Sequence, residues 1–179
     1  MITPSYARAM AAYNAEMNRR LYAAADTLDD ASRRAEGGAF FGSIHGTLCH
    51  LLWGDTIWMS RFDGWEKPDV GIQGSADWIT DWAALTAARI KADARIEDWA
   101  ARLTPEDLAG DLIWFSGATG RDMRRPRWLL ITHMFNHQTH HRGQAHALLT
   151  RAGAQTGATD LPWVIPDEAW TPLSAPPAG

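Results

Sequence analysis

From Pro4 to about Thr27 the chain runs through Ala, Leu, Met and Arg with no interior Gly or Pro, and three further segments have the same helical make-up. Such runs leave little chain for a sheet. Thr3-Pro4 supplies a capping hydroxyl and then a proline at the first helical position, so a first helix is expected over about 4–27. Asp29 to Glu36 can form one short turn before Gly37-Gly38. Ser43 caps a second helix that closes near Asp63-Gly64. Gly46 and Gly54 lie inside it at a cost of about 1 kcal/mol each, and close helix packing is the expected compensation. Residues 64–76 read as a Gly-rich crossover, and Asp77 as the start of a third helix reaching about Leu103. Thr104-Pro105-Glu106 then forms a turn or cap. Two short alternating runs around Gly117 and Gly120 suggest a small hairpin. The fourth helix is expected from about Pro126 to Ala152, ended by Gly153.

The expected fold is therefore all-α, a four-helix bundle with a long crossover between helices two and three. Residues 1–155 form its domain. Residues 156–179, with Pro172, Pro176 and Pro177, form an irregular tail that packs on the bundle or trails from it, its last few residues expected to be disordered.

Composition narrows the function classes. The net charge is −4 and the basic residues are scattered, which argues against nucleic acid as a partner. The local cluster Arg121–Arg127 reads as a solvated loop. No apolar run is long enough to span a membrane, and the N-terminus has no secretory pattern. The lone Cys49 excludes an internal disulfide and fits a reducing, cytoplasmic setting.

The histidines fall in two short segments, 45–50 and 133–146. On a helix, positions four apart differ by about 40° in direction and one turn of rise. His133, His137 and His141 thus form one stripe, flanked by Leu130, Met134 and Leu148 on the core-facing side. His140 lies about 60° from His137, Gln144 points along the stripe, and His146 is roughly opposite. Two imidazoles one turn apart converge on one ion, so His137 and His141 are expected metal ligands. HQTHH has the outline of the zinc-protease HExxH motif, but Gln138 stands where that motif has its basic glutamate. A third ligand must come from another helix. His45 and His50 point about 140° apart, and His50, set among Leu48, Leu51 and Leu52, is favoured. Cys49 reads as a small buried side chain.

SIHGTLCHLLWGDTIWMSRFDG, THMFNHQTHHRGQAHALLTRAG and ATDLPWVIP, in that order, resemble the DinB/YfiT-like family of metalloenzymes over nearly the whole chain. The resemblance implies three metal ligands at His50, His137 and His141, a bound zinc or nickel ion, and a homodimer. Its better-understood members are transferases and isomerases that use a low-molecular-weight thiol. The expected function is therefore a metal-dependent transferase, isomerase or hydrolase that activates a thiol or water against a small-molecule substrate. The alternative is a non-catalytic metal-binding or stress-response dimer. No convincing general base is visible. Asp55 is a weak candidate that reads better as a surface or helix-pair salt bridge. Gln144 and Asn136 read as residues that orient the ligands, His133 reads the same way or as a substitute ligand, and Arg142 is expected in a structural ion pair.

Overall fold

The protein, described by a computed structural model over residues 2–117 and 119–169, is mostly helical. Its helices are α1 (Pro4–Asp26), α2 (Asp30–Arg34), α3 (Ile44–Phe62), α4 (Trp82–Arg102), α5 (Arg127–Arg151) and α6 (Leu161–Val164). Two strands, β1 (Asp111–Ser116) and β2 (Arg121–Pro126), pair antiparallel as the expected hairpin.

Capping chemistry sets most helix starts where the sequence places them. The Thr3 hydroxyl accepts the Tyr6 N–H, Asp29 that of Ser32 and Ser43 that of Gly46, each satisfying a donor without an intrahelical partner. α4 begins later than expected. Its cap is Asp81 rather than Asp77, with the Asp81 carboxylate accepting the Ala84 N–H at 2.7 Å. The preceding residues are held out of the helix by α3. The Ile79 N–H lies 3.3 Å from Cys49 Sγ, and the Ile79 carbonyl accepts from His45 Nε2 at 2.9 Å. These tertiary bonds outweigh the weak local preference for helix.

α1 packs against α4 and α5, and α3 against the same two helices, so the four long helices close a ring. Leu21, Leu48, Leu52, Leu85, Ile96, Phe135 and Leu149 fill the shared core, each contributing roughly 1.5–3 kcal/mol by leaving water. Among the described residues no helix is long and apolar enough to cross a membrane.

One expectation is corrected at the hairpin. Most of the Arg121–Arg127 segment is strand rather than loop, with Arg124 Nε donating to Asp111 at 2.6 Å across the hairpin. Within the expected tail, residues 156–169 include the short helix α6 and pack on the bundle. Leu161, Val164 and Ile165 pack on Tyr13 and Met17 of α1, and the Tyr13 hydroxyl donates to the Thr159 carbonyl at 2.6 Å. Pro172, Pro176 and Pro177 lie outside the described residues.

Candidate metal centre

α3 and α5 lie side by side and bring His50, His137 and His141 together. One ring nitrogen from each lies within 4.8 Å of the other two. His50 Nε2 and His137 Nε2 are 3.1 Å apart. The approach depends on Gly54, one turn after His50: a Cβ there would sit 2.8 Å from His137 Cε1. Gly46 has a different need, since a Cβ there would meet the Phe41 carbonyl at 2.5 Å. Both glycines inside α3 are thus explained by close approach. Gly54→Ala should gain up to about 1 kcal/mol of helix propensity yet displace the His137 ring. We expect zinc affinity to fall roughly 10–100-fold, the range typical of disturbing a ligand's support, with urea stability little changed. Chelator-competition titration and urea unfolding measure the two.

The outer nitrogens fix how the rings present themselves. Ser75 donates its hydroxyl proton to the Ile72 carbonyl at 2.7 Å. Its oxygen can then only accept from His50 Nδ1, 2.8 Å away, which leaves the His50 Nε2 lone pair facing the cluster. His141 Nδ1 donates to Gln144 Oε1 at 2.8 Å and so also presents Nε2 as an acceptor. Phe41 stacks on His50 at 3.6 Å between ring centroids and meets His141 edge-on.

Burial pushes the His50 and His137 pKa values down to about 3, with repulsion among the rings adding to it. His141 is lowered as well, again chiefly by burial. All three rings are therefore neutral near pH 7, the form in which imidazole binds metal. Three neutral imidazole nitrogens, converging from two buried rings and the half-buried ring of His137, are a donor set that fits a divalent cation. The cluster opens on a cavity of about 760 Å³ walled mainly by aromatic side chains, among them Phe40, Trp53, Trp58 and Trp114.

The remaining expected residues separate into distinct places. His45 is buried but turns to Ile79, away from the cluster. Cys49 is fully buried, and burial pushes its thiol pKa up. Gln138 is buried and donates to the Leu51 carbonyl, so the protease-like outline has no counterpart in the site. His133 lines the cavity, its ring against Trp58 and 6.0 Å from that of His137. His140 is exposed beside His141, and Asn136 is exposed. His146 contacts Thr156 at 3.2 Å.

Asp55 forms a buried ion pair with Arg89, the helix-pair alternative rather than the surface one. Arg142 departs from expectation. It is buried and bonds Asn14 and Gln138, neutral groups, rather than a carboxylate. Sequence reading missed Ser75 and Phe41, which lie in irregular segments without periodicity, and Arg61, which lies in the cavity wall.

The sequence model of the DinB family matches residues 1–171. No curated protein matches the chain. Among solved structures, a DinB-like protein from Bacillus cereus is similar with a TM-score of 0.49 and 20% identity, covering 82% of this chain and 90% of that one.

Proposed function

The chain belongs to the DinB family, and from that premise we propose a metal-dependent enzyme in which His50, His137 and His141 hold one divalent ion. The observation that carries this reading is the convergence of three neutral imidazole nitrogens within 4.8 Å of one another, opening on a cavity large enough for a small molecule. Zinc or nickel suits such ligands, and when bound would lower the pKa of a thiol or water and polarise a carbonyl.

The chain's own residues set the terms of that chemistry. Ser75 and Gln144 hold two of the rings in the ligating tautomer. Three imidazoles contribute no negative charge, and an ion they held would have fewer protein ligands than the four that typically close a structural zinc site, so a thiol or water could reach it from the cavity. Asp55 is committed to Arg89 and is not offered as a base. The reading is thus a transferase, isomerase or hydrolase in which a low-molecular-weight thiol or water is the activated group. The ring of four long helices is read as a four-helix bundle with residues 63–81 as its long crossover. Residues 1–155 are read as its domain, with the later segment packed against α1. A homodimer in the cytoplasm completes the proposal.

Elemental analysis after incubation with zinc or nickel salts, followed by a screen of thiols against electrophiles, tests it. About one metal ion per chain and metal-dependent turnover are expected. Absence of bound metal would sink the metal reading. Metal without turnover across the panel would favour the non-catalytic module.

A further inference from the structure

We infer that Arg61 forms an anion subsite in the same cavity, so that the pocket takes a small organic molecule whose carboxylate pairs with Arg61 while its other end lies at the histidine cluster. The inference rests on the metal reading only for what happens at the histidine end.

The placement comes from α3 itself. Arg61 follows His50 by eleven positions, which returns it to within about 20° of the same direction, roughly three turns along the axis. Gly54 and Ile57 occupy the stripe between them, and all four residues line the cavity. Helical side chains lean toward the N-terminus, here toward His50. Arg61 does so: its Cζ lies 4.4 Å from the Trp58 ring centroid, one turn back, and 5.5 Å from that of Trp114 on the hairpin.

The chemistry comes from what this guanidinium lacks. Arg61 is half-buried, and among the described residues no carboxylate lies within ion-pair distance of it and no hydrogen bond is made by its five N–H donors. Other arginines that leave solvent are treated differently. The buried Arg89 pairs with Asp55 and Asp93, the buried Arg142 bonds Asn14, and Arg33, half-buried like Arg61, bonds backbone carbonyls and lies by Asp30. A partly desolvated, unpaired cation carries a cost, and the two indoles meet only part of it. A planar fork held against aromatic rings, with its donors free toward a cavity, suits a carboxylate. The pocket between Arg61 and the histidines is apolar and aromatic, so the body of the ligand is an uncharged carbon skeleton.

The test uses tryptophan fluorescence, reported by Trp58 and Trp114, on the full chain in metal-free and zinc-loaded forms. The probes are hexanoate, hexanol and 6-mercaptohexanoate. Wild-type protein should bind hexanoate at least about tenfold more tightly than hexanol. Arg61→Met should erase that preference while keeping its affinity for hexanol, which also checks that the pocket is intact. Arg61→Lys should keep part of it. Equal affinity for the two probes in the wild type, or an undiminished preference in Arg61→Met, overturns the subsite whether or not zinc is present. The histidine end is read separately: zinc should tighten 6-mercaptohexanoate but not hexanoate. If zinc changes neither, the metal reading falls while a carboxylate preference still stands. Mercaptoethanol then distinguishes the source of the carboxylate. Its displacement by hexanoate assigns the anion to the thiol, and joint binding assigns it to the second reactant; either supports the subsite.

Discussion

His137→Ala should lose most of the thermal stabilisation that zinc gives the wild-type protein. A ligand that binds only the folded state adds RT ln(1 + [L]/Kd), about 4 kcal/mol at a thousandfold excess over Kd. Disturbing the support of a ligand already costs 10–100-fold in affinity, so removing the imidazole should cost at least about 100-fold. At the same zinc concentration the stabilisation then falls to about 1.4 kcal/mol or less. For a chain of 179 residues, that converts a shift of roughly 8–16 °C into one below about 6 °C. The pH dependence adds a second check. His50 and His137 have pKa values near 3 in the fold, against about 6.5 when unfolded. The unfolded chain therefore binds more protons between these values, and stability falls as pH drops from about 6.5 toward 3. In the folded state protons do not compete at these two rings at pH 5. The zinc-induced shift should persist there even as both melting temperatures decline. Scanning calorimetry with and without zinc at pH 7 and pH 5 measures this. An equal zinc shift in His137→Ala and wild type would remove His137 from the site.

The outline of the histidine cluster was legible because its residues lie on helices, where spacing fixes direction. His137 and His141 follow from one turn of rise, and His50 follows from its apolar surroundings. His45 shows the limit of that reasoning: it is as buried as His50, and only the path of Ile79 decides where its ring turns. The same stretch of backbone delayed α4 from Asp77 to Asp81, because the Ile79 N–H is held by Cys49. Ser75 and Phe41 sit in segments with no period, so nothing local announces that one orients His50 and the other stacks on it. Arg61 was within reach of spacing, being in line with His50. Arg142 adjoins the histidine motif and is the more conspicuous arginine, yet its direction on α5 carries it into the core.

Arg89→Met should destabilise the fold by about 3–5 kcal/mol. Arg89 is only 2% exposed and reaches Asp55 of α3 and Asp93 of its own helix, both at 2.7 Å. Asn18 of α1 completes the group by donating to Asp93 at 2.9 Å, so three of the four long helices meet on one cation. Methionine fills similar volume but leaves two carboxylates buried without a counter-charge. Burial already raises both carboxyl pKa values despite the arginine, that of Asp93 to about 6. Their raised values mean that the folded state holds protons the unfolded chain has released, so this group's contribution declines as pH rises from about 4 through 6. Without Arg89 the carboxyl pKa values should climb further. The deficit of Arg89→Met relative to wild type should then be largest near pH 7 and shrink toward pH 5, where protonation removes the buried charge. Urea unfolding at the two pH values reads the difference directly. A pH-independent deficit would show that lost packing, not uncompensated charge, is what the arginine prevents. Adding Asp55→Asn and Asp93→Asn to Arg89→Met separates the terms again: neutral amides in place of the carboxylates should recover much of the loss at pH 7.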